Sequence, residues 1–263
     1  MAIEIKNASF DYPGGYRALE NINITIKEGE KVAIVGQNGA GKTTCVKMMN
    51  GLLQPAGGDV FVDGVNTKNV TTATTARKVG YVFQNPDEQI FNQTAAKEIE
   101  YMPKYLKLPE EEIRKRVDRA VELTDLKKYL ELNPYEIPYP IRKFVTIASV
   151  IASQPSYIIL DEPTAGQDLH GTRTLSSLIK KLNEEGTSVI TITHDMEFAL
   201  SNFDRIIVMA HKNVIADGTP EEIFWNEEIV KEARIKMPVI GNLARRLQVP
   251  GKPLTSEKLV EAL

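Results

Sequence analysis

The chain is 263 residues long and has one cysteine, one tryptophan and three histidines. A single thiol excludes an internal disulfide framework, and Cys45, placed just after Thr44, reads as a small core-facing residue near the start of a helix. Charge of one sign is also lacking: 32 basic against 35 acidic side chains leave a net charge of −3. Without a basic excess or a charged tail, nucleic acid is disfavoured as a partner. No run approaches the ~20 apolar residues that a membrane span needs. The first residues, Met1-Ala2-Ile3-Glu4-Ile5-Lys6, alternate and carry an acid, which suits a strand and not a secretory signal. These absences lead us to expect a protein of the reducing cytosol that meets a membrane only through another protein. No internal repeat or low-complexity segment appears, and 42% hydrophobic residues suffice for a sizeable core.

Hydrophobic periodicity organises what is present. Ile3-Glu4-Ile5 and Ile22-Asn23-Ile24-Thr25-Ile26 alternate as short strands, and Lys31-Val32-Ala33-Ile34-Val35 follows the Glu28-Gly29-Glu30 turn. Asp59 to Gly64 resembles half a hairpin and precedes Val79-Gly80-Tyr81-Val82-Phe83. Between about residues 90 and 155 the pattern turns helical. Pro109 opens one helix there, with Ile113, Val117, Ala120 and Val121 on one face and Glu110 to Arg116 as a solvated face. Strands return at Tyr157–Leu160, Ser188–Ile192 and Arg205–Met209, with a helix near 171–182. The expectation is an α/β core with a parallel sheet, an antiparallel β subdomain and a helical insert. Residues 1–225 would form this domain, with the helical subdomain at about 90–155 and a helical appendix over 226–263.

One segment carries the most chemistry. Gly36-Gln37-Asn38-Gly39-Ala40-Gly41-Lys42-Thr43 fits G-x-x-x-x-G-K-[ST] at every fixed position and lies between an apolar strand and an amphipathic helix start. Glycines at both ends let the backbone curl, so that successive N–H groups and the positive end of a helix face phosphate oxygens. Lys42 is expected to reach the outer phosphates of a nucleoside triphosphate, Thr43 to ligate Mg²⁺, and Thr44 to line the same loop. Tyr157-Ile158-Ile159-Leu160-Asp161-Glu162 is an apolar strand that ends in two acids, which are costly there without a cation nearby. Asp161 is assigned to the metal shell and Glu162 to polarising the water that attacks the γ-phosphate. His194 ends another apolar strand, at the sheet edge where ligands collect, and is expected to touch the γ-phosphate or the attacking water. Gln84 stands where the insert leaves the core and is expected to join Glu162 and His194 in the catalytic site, contacting both the metal shell and the insert as a sensor. Tyr12, with Tyr16 as fallback, is a candidate platform for adenine.

In order and spacing, the loop at 36–43, Gln84, Asp161-Glu162-Pro163-Thr164, Ala165-Gly166-Gln167-Asp168 and His194 resemble the ATP-binding subunits of ABC transporters over nearly the whole chain. Phe83-Gln84-Asn85-Pro86-Asp87-Glu88-Gln89 and the tail Pro253 to Leu259 are similar to the energy-coupling factor type, which powers uptake of vitamins, cobalt or nickel. The resemblance implies a pair of such ATPases, alike or different, at the cytoplasmic face of the cell membrane. They would sit there on a transmembrane coupling protein that carries a separate substrate-capture protein. A non-hydrolytic regulatory subunit is the alternative reading, which intact Glu162 and His194 oppose. A soluble family member acting in translation or DNA repair would usually show a second such domain or a coiled-coil insert, and neither is visible.

The chain departs from the family at one hallmark. A Leu-Ser-Gly-Gly-Gln segment should end 20 residues before Asp161, and Ile137-Pro138-Tyr139-Pro140-Ile141 stands there. The Val145-Thr146-Ile147-Ala148 that follows matches the family, so the segment is replaced and not misaligned. Proline has no N–H and tyrosine adds bulk where backbone should approach a phosphate. The expectation is therefore an unlike pair, in which another chain supplies an intact segment. Gln167 replaces a usual leucine, and Arg142 and Lys143 are the cations nearest the altered helix start.

Overall fold

The structure is a computed structural model describing residues 1–263. Its chain order is β1 (Ala2–Tyr12), β2 (Tyr16–Lys27), β3 (Lys31–Val35), α1 (Lys42–Met49), β4 (Gly57–Val62), β5 (Val65–Asn66), α2 (Thr72–Ala76) and β6 (Val79–Val82). Three helices follow, α3 (Ala95–Tyr105), α4 (Glu110–Thr124) and α5 (Tyr139–Ala152). Then come β7 (Tyr157–Asp161), α6 (Leu169–Glu184), β8 (Ser188–Ile192), α7 (Met196–Asn202), β9 (Arg205–Ala210) and β10 (Asn213–Gly218). The chain closes with α8 (Pro220–Phe224), α9 (Glu227–Glu232), α10 (Val239–Arg246) and α11 (Ser256–Ala262).

Two sheets face each other. One runs β2-β1-β4-β5 and is antiparallel; the other runs β10-β9-β3-β8-β7-β6 and is parallel except for β10. Strands β3, β7 and β8 are buried almost throughout, as expected of parallel strands covered on both faces. Between the sheets lies one core, with Ile3, Ile5, Ile22, Ile26, Met48 and Met49 fully enclosed. The second core lies on the other face of the parallel sheet and joins it to α3–α6, with Ile99, Leu126, Phe144, Ile151 and Leu178.

Two expectations change. The first strands are not short: β1 has 11 residues and β2 has 12. Register shifts after Ile5, Ala8 and Phe10 break the alternation that would have shown their length. Strand β10 was not anticipated, because its residues are half-buried along its length and give no period of two. The tail docks on the second core through Ile229, Ala233, Ile235, Met237 and Leu254.

Candidate active site

Strands β3, β7 and β8 run parallel and adjacent, so their carboxyl ends open on one edge of the sheet. At that edge a cleft of about 720 Å³ is lined by Tyr12, Asn38, Gly39, Gly41, Lys42, Thr43, Thr44, Gln84, Asp161, Glu162 and His194, with Tyr16 and Thr164 also on its wall. Gly36, Gln37 and Ala40 do not line it; they shape the loop behind it. A Cβ at Gly36 would run into the Met209 carbonyl, and the Gln37 carbonyl accepts from the Ala40 N–H at 3.2 Å. Gly41 has φ 98° and leaves α1 without a side-chain cap. The N–H groups of Lys42, Thr43 and Thr44 have no acceptor in the chain, which leaves three donors for an anion.

Lys42 folds back onto that loop, its Nζ donating to the Gly36 carbonyl at 2.8 Å and to that of Gln37 at 3.0 Å. Burial pushes its pKa down, and the carboxylates of Glu162 and Asp161 oppose the shift. Tyr12 is exposed at the end of β1, packs edge-on against Phe10 at 4.9 Å and shares a 3.0 Å hydrogen bond with the Thr44 hydroxyl. A flat apolar surface thus stands tied to the start of α1. Cys45, one residue on, is fully buried and its thiol is pushed up to about 12, which makes it an inert packing group.

Asp161 is 3% exposed and accepts a 2.6 Å hydrogen bond on Oδ2 from the Tyr81 hydroxyl. Its Oδ1 is buried with no partner, and Thr43 and Gln84 line the same cleft. One carboxylate oxygen, one hydroxyl and one amide make an all-oxygen donor set, which fits Mg²⁺. No three His, Cys, Asp or Glu side chains cluster as a cage, so further ligands would be phosphate oxygens and water. Tyr81 was not anticipated as a site residue; its contact with Asp161 spans 80 positions and depends on the pairing of β6 with β7.

Glu162 has φ 48°, a left-handed backbone that costs a non-glycine residue about 1–3 kcal/mol. Its Oε2 accepts from the His194 N–H at 3.3 Å, and His194 Nε2 stands 3.2 Å from Oε1 without the alignment of a hydrogen bond. Burial raises the Glu162 carboxyl to about 7, against the opposing pull of the His194 N–H and of Lys42. Burial and Lys42 lower the His194 pKa, so the imidazole next to it is neutral at pH 7. A carboxyl that titrates near neutrality beside a neutral imidazole is equipped to accept a proton or hold a water.

The altered segment starts α5, with Pro138 as cap. Ile141 and Arg142 both donate their N–H to the Pro138 carbonyl at 2.9 Å, and Pro140 has none. Only the Tyr139 N–H is left free. Neither nearby cation substitutes for the lost donors. Arg142 binds Asp87 at 2.7 Å and the carbonyls of Tyr135 and Ile137, while Lys143 is 3% exposed and donates inward to Glu162 O and Ala165 O. Both cations are thus engaged by groups of their own chain.

Comparison with known proteins identifies the family and the fold. The ABC transporter family profile matches residues 19–165. An energy-coupling factor transporter ATP-binding protein of Methanothermobacter thermautotrophicus is 36% identical, with 98% of this chain and 84% of that protein aligned. The solved cbiO1 of Clostridium perfringens, part of the ABC transporter complex cbiONQ, superposes with a TM-score of 0.79 at 33% identity, over 92% of this chain and 98% of that one. An ATP-binding cassette solved as a dimer in a post-hydrolysis state with ADP and Pi gives 0.75 at 30% identity, over 83% and 98%. The chain belongs to the ABC transporter family and is an ATPase of its energy-coupling factor group.

Proposed function

We propose that this ATPase works as one member of an unlike pair, contributing a complete nucleotide half-site and taking the opposing phosphate clamp from a different chain. The single observation behind this reading is the start of α5, which retains one free N–H, from Tyr139. In a paired site that helix start would face the other subunit's γ-phosphate. This chain's own P-loop would therefore turn over ATP once completed by an intact partner, whereas the site facing Pro138-Tyr139-Pro140 would hold ATP and hydrolyse it slowly.

On this reading Lys42 leaves the Gly36 and Gln37 carbonyls to meet the outer phosphates, and the N–H groups of residues 42–44 receive the inner ones. Tyr12 stacks on adenine. Thr43, Asp161 and Gln84 would hold Mg²⁺, which neutralises phosphate charge when bound. Glu162 orients the attacking water, and His194 fixes the carboxylate and meets the γ-phosphate. No helix here is long and apolar enough to cross a membrane. Residues 1–225 act as the ATPase domain, seated peripherally at the cytoplasmic face on a transmembrane coupling protein with its substrate-capture protein, and 226–263 act as an appendix. The cargo would be a vitamin or a transition metal ion.

The test is ATP turnover by the purified chain alone and after a candidate partner ATPase from the same membranes is added. Low turnover alone and a large rise on mixing are expected. Robust turnover by the chain alone sinks the reading. In the mixed pair Glu162→Gln is expected to lower turnover about a hundredfold or more while ATP still binds; loss of ATP binding would remove Glu162 from the assigned role.

A further inference from the structure

We infer that the altered start of α5 has become an internal brace for the chain's own catalytic turn, with Lys143 the positioning residue that holds Glu162. Lys143 Nζ donates to the carbonyl of Glu162 at 2.8 Å and to that of Ala165 at 2.9 Å. Both acceptors are backbone, and the side chain is 3% exposed. Burying an ammonium is costly, and a methionine of similar length would fill the same space without that cost. The charge is therefore retained for what its donors hold. They hold a backbone that does not hold itself, since Glu162 sits at φ 48°. The Glu162 N–H is bonded to Ile192 O at 2.9 Å, so Lys143 secures the opposite side of the same residue.

Gln167 completes the brace. Its Nε2 donates to Pro140 O at 2.8 Å, which ties the far end of the turn to the first turn of α5. Its Oε1 lies against Gly171, where a Cβ would collide with it, so the glycine makes room for the glutamine. Tyr139 lies against Gly166, with ring atoms 3.5–3.6 Å from where a Cβ would stand. On the other side of the helix start Arg142 grips Asp87, three residues after Gln84, at 2.7 Å. The first turn of α5 thus links the segment after Gln84 to the turn that carries Glu162. The first turn of α5 is thus committed to contacts within its own chain.

The inference rests on Glu162 being the residue that orients water, and the experiment separates the two. Turnover, nucleotide affinity and thermal unfolding are measured on the assembled ATPase pair carrying Lys143→Met, Lys143→Arg, Gln167→Leu or Glu162→Gln. Lys143→Met is expected to lower kcat about tenfold with ATP affinity within about twofold of the parent. Lys143→Arg, which keeps the donors, should recover most of the loss, and a simple packing role would not favour arginine over methionine. Gln167→Leu should lower kcat about threefold, again with affinity unchanged. If Lys143→Met unfolds or loses nucleotide, Gln167→Leu decides the matter, and an unaltered kcat in it overturns the brace. An unaltered kcat in folded Lys143→Met does the same. Should Glu162→Gln keep its turnover, the assignment of Glu162 fails first, and the brace loses its purpose with it.

Discussion

Two helix starts in this chain have opposite fates. At α1 a glycine with φ 98° and no capping side chain leaves the N–H groups of Lys42, Thr43 and Thr44 free. At α5 Pro138 and Pro140 fix a good helix start yet leave Tyr139 as the one free donor. The lesson is that helix stability and anion binding compete for the same groups. A proline-rich first turn satisfies the backbone locally, whereas a glycine-rich one leaves it unsatisfied and ready for phosphate.

Exchanging the chemistry of the second start for that of the first is the strongest way to break the contrast. Pro138→Ser with Tyr139→Gly and Pro140→Gly gives back a hydroxyl and two close-approaching N–H groups. If phosphate donors are what the chain lacks, the triple variant alone should gain turnover, on the order of a hundredfold, the scale that removal of such donors costs. The glycines weaken the first turn by about 1 kcal/mol each. A triple variant that folds, binds ATP and remains as slow as the parent would show that the limitation lies elsewhere.

Much of the α1 half is legible in the sequence, because its residues are either contiguous or stand at the ends of apolar strands. Gly36 to Thr43, Asp161-Glu162 and His194 needed only spacing and the rule that ligands gather at strand carboxyl ends. The α5 half was legible as a loss but not as a gain. Lys143 meets Glu162 across 19 positions and Gln167 meets Pro140 across 27, and nothing in a linear pattern says that these side chains turn inward. In the sequence Arg142 and Lys143 stand out only as the cations nearest the altered helix start. The irregular register of β1 hid its length for a related reason: bulges erase periodicity without erasing the strand.

The two halves should also respond differently to pH. In the nucleotide-free chain burial raises Glu162 to about 7 from an ordinary 4.5. Below pH 4.5 folded and unfolded states both hold the proton, and the site costs nothing. As pH rises the unfolded chain releases its proton first, so the folded state binds more protons and loses relative stability until about pH 7. The difference corresponds to about 3 kcal/mol. Glu162→Gln has no proton to release, so its stability should exceed the parent's by up to about 3 kcal/mol at pH 8 and show almost no such advantage near pH 4.5. Urea unfolding at the two pH values reads this directly. An equal gap at both would remove the carboxyl as its source. No corresponding slope is expected from Gln167→Leu, which removes a neutral amide bonded to a neutral carbonyl.

The smallest of these effects separates two kinds of hydrogen bond. Tyr81 donates to a buried carboxylate at 2.6 Å, and Gln167 donates to a neutral carbonyl at 2.8 Å. Charge-assisted bonds contribute about 1.5–3 kcal/mol and neutral ones about 1 kcal/mol. Tyr81→Phe keeps the ring and its edge-on contact with Phe83 at 4.9 Å. Its cost therefore comes from leaving both oxygens of Asp161 buried and unpaired. A loss of about 2 kcal/mol is expected, shrinking when Asp161→Asn is already present, because an uncharged amide needs the phenol less. Gln167→Leu should cost about half as much, since it gives up a neutral bond and exchanges an amide for an apolar side chain. A double-mutant cycle at Tyr81 and Asp161 with no coupling would mean that the short contact orders nothing. The catalytic half would then be held by its strand ends alone, as the altered half would be without its brace.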